Sequence, residues 1–427
     1  MHTPTGRITR SANGSAIRIY EEGIVQGAAL TNEISAPLAL VRKQTLTVGA
    51  GSSLGLHGAL TQPDGAVAVE KEGTGRLNLY GENEFAAGLS ILHGSVYVCG
   101  ATNALGKASA EDADDAIFVK QRDNNASLHI AASGVIERPI CVEVPNESGG
   151  LYVEKGVTNV FTRKVKSTGG SPRYWFGDKS LTVFEGGFTS SGWFCPVSGG
   201  SSDVVFRKTP CNFGYFVPAN GLTLRLQVSG NDASHIDFYG NGKVELEADG
   251  VFNGEPHLYF GHPTIPLATA YIDLHGHDCA FGDIKGCYGG AMKTTDGPAT
   301  FTFTQTSLCT NATVAFTGPL SIVKRGAGTF VQTRAIEATG TLRVAEGTFA
   351  FGVGGKCRAC AGVEIDEGAA LEVAEGVNLR VKTLTVAGQE LDGGTYWGAD
   401  SANEPKAPGV TGKGSVTISG GVLLIIR

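Results

Sequence analysis

The sequence predicts an all-β chain wound as a parallel β-solenoid, and three observations carry that prediction. The chain runs 427 residues with no linker-like break, whereas β-sandwiches divide into modules of about 100 residues. Asn-Gly-type hairpin turns between long strands are scarce, so the short strands are not arranged as a meander. Glycine is abundant, 62 of 427 residues, about twice the usual ~7%. Glycine-rich corners suit a coil that turns after every strand, each coil stacking on the last through parallel backbone hydrogen bonds.

Composition narrows the class further. Length alone suggests about three ordinary domains, but the even distribution of short strands argues against that division. Hydrophobic residues reach 41% and charged residues only 18%; disorder requires the opposite balance. Sixteen prolines with no triplet period exclude collagen. The longest apolar run, Val422 to Ile426, is far short of the ~18 residues of a membrane helix, so no membrane span is expected. A net charge of −7 gives no reason to expect a nucleic-acid partner, which calls for a concentrated basic surface. Residues 1–30 contain no apolar signal-peptide core.

The elements follow in chain order. Residues 1–45 read as an N-terminal cap and first coils, and 46–427 as the solenoid, with an insertion or a broadened rung at 174–216. Alternating runs mark the strands: Leu46-Thr-Val48, Leu128-His-Ile130, Leu181-Thr-Val183, Val244-Glu-Leu246, Leu371-Glu-Val373, Leu379-Arg-Val381 and Val416-Thr-Ile418. Each places one side chain in two on a common face, with turn residues close by. No stretch longer than about ten residues shows a helical period. At roughly 20 residues per coil, about 20 coils are expected, each rising ~4.8 Å.

One long internal repeat stands out. Lys71-Glu-Gly73-Thr-Gly75 returns as Lys324-Arg-Gly326-Ala-Gly328 at an offset of 253, which holds without a gap to Gly94 and Gly347. Val69, Leu77, Leu79, Leu89, Ile91, Val96 and Val98 should point inward, as should their partners 253 residues on. The segment from Lys71 through Gly81, Asn83, Phe85, Gly88 and Gly94, closing at Asn103-Ala-Leu-Gly106, resembles the passenger-associated β-strand repeat of autotransporter-type bacterial surface proteins. The copy at 324–352 lacks the equivalents of Gly81 and Asn83. The resemblance implies a right-handed parallel β-helix exported to the cell surface, and it carries no catalytic residues. No C-terminal translocator barrel follows within this sequence.

Several constellations are candidates for chemistry or contact. In Tyr271-Ile-Asp-Leu-His-Gly-His277, Asp273, His275 and His277 alternate away from Ile272 and Leu274. Such a triplet has the donors for a divalent ion. The alternative is an exposed polar face without metal, and no cofactor is expected. Asp112, Asp114 and Asp115 offer the carboxylates a β-helix polysaccharide-cleaving enzyme needs, or form a solvated acidic loop. Eleven of the 34 aromatic residues lie between 174 and 216. Among them Tyr174, Trp175, Trp193 and Tyr215 are candidates for ligand or partner contact, because aromatic faces stack on sugars and anchor interfaces. Nine cysteines leave at least one unpaired; Cys195/Cys211 and Cys279/Cys287 have spacings that could close loop disulfides, with buried free thiols as the alternative. Cys357-Arg-Ala-Cys360 is a CxxC without βαβ context. No GxSxG, Walker A or dinucleotide fingerprint occurs, so no catalytic residue is assigned.

The sequence therefore favours a non-enzymatic, extracellular structural or adhesive β-helix, secreted or held at a bacterial surface. Its expected partners are surface glycans, a cell-surface protein, or a second copy of itself. Val422, Leu423, Leu424, Ile425 and Ile426 form the most hydrophobic strand of the chain, and could add to the open edge of a neighbouring copy and build a head-to-tail filament. The alternatives are a β-helix polysaccharide lyase or glycoside hydrolase, and a carbohydrate-binding surface module.

Overall fold

A computed structural model describes residues 16–419 apart from 20–22, 28, 101–103, 107–115, 121–124, 145–148, 169, 171 and 265–266. The acidic run at 111–115 and the apolar run at 422–426 lie outside the described residues. The chain is all-β, a solenoid of about 16 turns built from stacked parallel sheets. It divides into two compact units, residues 1–224 and 225–427.

In the first unit, three of the sheets run from coil to coil and end within it. One has three strands (Ile17–Ile19, Leu38–Leu40, Leu60–Thr61), and two have eight, ending at Phe188–Ser190 and Pro196–Ser198. Ile17 pairs with Leu38 in parallel, so coiling begins within residues 1–45. Successive partners Leu77, Val96, Leu128, Leu151 and Tyr174 show that coils here span 19 to 32 residues. Longer coils than the expected 20 account for about 16 turns rather than about 20.

In the second unit, a seven-stranded sheet runs from Cys279–Phe281 to Gln389–Glu390, and a five-stranded one from Cys309–Asn311 to Val410–Gly412. Here the coils are regular: Ile322 pairs with Leu342, Leu342 with Val363 and Val363 with Leu384. The parallel rule breaks near the C-terminus. Gln389–Glu390 and Gly394–Trp397 pair antiparallel with Thr383–Val386 and Ser415–Ile418.

The core follows from period-two alternation. Val69, Leu77, Leu79, Leu89, Ile91, Val96 and Val98 are at most 2% exposed, and so are Ile322, Phe330, Leu342, Val344, Phe349 and Phe351. Leu79 has Gln332 as its partner 253 residues on. It too is buried, with its amide satisfied by Asn311 and by the Arg334 carbonyl.

The repeat has a physical cause. Lys71 points into the core and is fully buried, its ammonium donating to the carbonyls of Glu72, Gly73 and His93 at 2.9, 2.7 and 3.0 Å. Lys324 is equally buried and donates to the carbonyls of Gly326, Gly328 and Glu346. Each lysine thus clasps its own corner to the next coil, filling carbonyl acceptors there. Burial lowers both lysines to about 8. The corner also demands glycine. Gly94 has φ +67°, and a Cβ there would lie 2.5 Å from the Gly75 carbonyl oxygen.

The aromatic stretch at 174–216 is not an excursion. Tyr174 pairs with Leu151 and Pro196, and Phe184 with Phe161 and Phe206, all in parallel ladders. The rungs exchange sheets instead: two sheets stop at Phe188–Ser190 and Pro196–Ser198, while Trp193–Phe194 opens a new one with Tyr215–Phe216. Phe184, Phe188, Phe194, Phe206, Phe213 and Phe216 fill the interior in stacked, tilted and edge-on pairs, Phe188–Phe194 being tilted at 4.5 Å.

Candidate functional site

Outward-facing residues on consecutive coils align because parallel register repeats at every turn. On one sheet of the first unit, Tyr97, His129, Tyr152 and Trp175 are successive register partners, their inward neighbours Val96, Val98, Leu128, Ile130, Leu151, Val153 and Phe176 being buried. The rings of Tyr97 and His129 stack at 4.1 Å, and those of His129 and Tyr152 at 4.5 Å. The Arg76 guanidinium caps Tyr97 at 3.4 Å, a cation–π contact. His129 is held by Ser127 and Glu154 at 3.0 and 2.9 Å. Burial lowers the imidazole pKa despite the opposing pull of Glu154, so the neutral ring is favoured in the column.

Of the four aromatic candidates, Trp175 belongs to this column and is half-buried. Trp193 and Tyr215 are 43% and 38% exposed and stack on each other at 5.2 Å. Tyr174 is a correction: it alternates inward and is fully buried, so it can touch no ligand. Tyr97, His129 and Tyr152 were missed because each sits singly in its own strand. Aligning the strand echoes by coil would have found them.

The His-rich segment forms a different site, in the second unit. Strands Lys243–Leu246, Leu267–Asp273 and Gly289–Lys293 place Glu245, Asp273 and Lys293 in one outward column. The expected exposed triplet does not form. Asp273 is 1% exposed, because the chain turns over it at His275, where φ is +46°. Its carboxylate accepts from the backbone amides of His275 and Thr295, both 3.1 Å, and pairs with the Lys293 ammonium at 3.0 Å. Burial opposes its ionisation, but these donors outweigh it and hold the pKa below the ordinary value. His275 and His277 part company: their Nδ1 atoms meet Asp296 and Asp249, each at 2.7 Å.

Glu245, Glu247 and His275 converge instead, their donor atoms lying within 4.8 Å of one another. Arg225 stands between the two carboxylates, 2.6 Å from Glu245 and 2.9 Å from Glu247. That guanidinium supplies the positive charge a metal ion would bring. Tyr271 donates to Glu245 at 3.0 Å, and Lys293 lies 3.8 Å over its ring. Burial and the neighbouring carboxylate both raise the Tyr271 pKa.

Beside this network lies an open hollow of about 440 Å³, lined by Tyr271, Tyr288, Gly289, Gly290, Lys293 and Arg334 among others. A register slip makes it: Leu267 pairs with Gly289 but Tyr271 with Ala291. The extra residues bulge outward, their amides at Ala268 and Thr269 both caught by the Asn241 side chain.

The cysteine pairings are also corrected. Neither expected disulfide is formed; Cys211 Sγ accepts from the Phe188 amide, and Cys279 Sγ contacts the Ala280 carbonyl. Cys287 faces Cys309 instead, Sγ to Sγ 3.9 Å.

No family model, curated protein or solved structure matches the chain. Among the described residues, no helix is long and apolar enough to cross a membrane.

Proposed function

We propose that this chain is a structural and adhesive β-solenoid of a bacterial surface, secreted or surface-held, which acts by binding rather than by turnover. The observation that carries the reading is the outward column Tyr97–His129–Tyr152–Trp175. It repeats an aromatic contact at every coil, about 4.8 Å apart, and so offers one partner many weak contacts at once. Surface glycans or a cell-surface protein are the partners it suits, since rings with polar edges serve both. The residue pattern from Lys71 to Gly106 and its partial copy at 324–352 support kinship with the autotransporter passenger repeat, and with it a right-handed coil. Assembly head-to-tail belongs to the same proposal: the apolar run Val422 to Ile426 can add to a sheet edge of another copy. The test is retention of labelled full-length chain on intact cells and on a glycan array, with electron microscopy of the same sample for filaments. Retention lost on replacing Tyr97 and Tyr152 by Ser supports the reading; retention unchanged by that replacement defeats it.

A second reading, a polysaccharide-cleaving enzyme, is favoured by one observation. Glu245, Tyr271, Asp273 and Lys293 bring acid and base groups together beside the hollow at Tyr288. Release of new reducing or unsaturated sugar ends from polyuronate or neutral polysaccharide, abolished by Tyr271→Phe, would establish it.

A further inference from the structure

Two thiols on neighbouring coils of the second unit meet without any role in the sites above. Cys287 ends the strand Ile284–Cys287, and Cys309 begins the strand Cys309–Asn311. Their sulfurs are 3.9 Å apart. Both line an open hollow of about 280 Å³ together with Lys285, Ser307 and the largely exposed Leu308, so a small reagent can reach them. The strands that carry them belong to different sheets, so the fit for a bond rests on the separation of the sulfurs themselves. Closing from 3.9 Å to a bond of about 2.05 Å asks for side-chain rotation more than backbone movement.

We propose that Cys287 and Cys309 are a disulfide-forming pair, which takes up a small-molecule or protein disulfide as its oxidant and bolts one coil of the second unit to the next. The chemistry is two thiol–disulfide exchanges. One protein thiolate attacks the oxidant, forming a mixed disulfide and releasing one thiol. The second protein thiolate attacks the protein sulfur of that mixed disulfide, forming the Cys287–Cys309 bond and releasing a second thiol. Two protein thiols are oxidised, one disulfide is reduced, and the two protons end on the released thiols. Either thiol can make the first attack, since the two sulfurs face each other at 3.9 Å and both line the same open hollow. The bond closes the segment 288–308, which contains the hollow-lining Tyr288 and the outward Lys293.

The proposal is independent of the adhesive reading, and its test uses the full chain. Fully reduced protein is equilibrated with reduced and oxidised glutathione, then alkylated and digested without reductant. The expected principal product is a Cys287–Cys309 cross-linked peptide lighter by two hydrogens, with a melting temperature several degrees above that of the reduced chain. Cys287→Ser should trap glutathione on Cys309, since the resolving thiol is gone. Three outcomes overturn the proposal: both thiols staying free in a buffer that oxidises a control dithiol, glutathione persisting on the wild-type pair, or Cys279–Cys287 as the main bond. Mapping on the unaltered chain decides the matter even where a variant fails to fold.

Discussion

Replacing Lys324 by Met is the most informative perturbation of the fold. The ammonium is fully buried and donates to the carbonyls of Gly326, Gly328 and Glu346. Hydrogen bonds from a charged donor contribute about 1.5–3 kcal/mol each, so the three represent a gross loss of about 5–9 kcal/mol. Against this, Met relieves the burial of a charge. A pKa lowered from 10.5 to about 8 corresponds to a relief of roughly 3 kcal/mol at about 1.4 kcal/mol per unit. The net expectation is a loss of about 2–6 kcal/mol, read as a lower urea midpoint by far-UV circular dichroism. The pH dependence has a definite sign. Between about 8 and 10.5 the unfolded lysine binds more protons than the folded one, so the burial penalty is present below pH 8 and fades as pH rises. Wild type should therefore gain stability relative to Lys324→Met across that window. A variant within ~0.5 kcal/mol of wild type, with no change in pH slope, would show that the clasp does not hold the corner.

Other consequences are more local. Gly94→Ala forces a Cβ against the Gly75 and Gly73 carbonyl oxygens at 2.5 and 2.6 Å in a left-handed backbone, and should cost about 2–4 kcal/mol in the same urea assay. Phe194→Ala empties the centre of the aromatic interior and should cost about 3–5 kcal/mol, whereas Trp193→Ala on the exterior should cost under ~1 kcal/mol. Arg225→Met leaves the buried Glu245 without its cation, lowering stability by about 1–3 kcal/mol; calorimetric titration with zinc then tests whether the vacated charge admits an ion, which the guanidinium opposes in the wild type.

The solenoid was legible because its signal is repetitive. Alternation at Val69, Leu77 and Val96 specifies an inward face whatever the coil length, and the glycine-rich corners mark where each strand ends. Coil length was less legible, since corners absorb extra residues with no change of pattern in the strands. The aromatic density at 174–216 was visible, but a phenylalanine ladder inside a coil and an excursion from it share one composition. Only register told them apart. The site failed for a similar reason. Asp273, His275 and His277 alternate in sequence, yet the left-handed turn at His275 ends the alternation and folds Asp273 under its neighbours. Arg225, Glu245 and Tyr271 come together from successive coils of 20 and 26 residues, a spacing no short motif encodes. The Cys287–Cys309 meeting, 22 residues apart, is hidden in the same way.

The adhesive account is tested most directly by the exterior column. Full-length chain and a Tyr97→Ser, His129→Ser, Tyr152→Ser variant are compared for retention on intact bacterial cells and on immobilised glycans, with circular dichroism to verify that both are folded. The account predicts a loss of at least tenfold in apparent affinity, because contacts repeated along one face act together. Equal retention of the two folded proteins would contradict it.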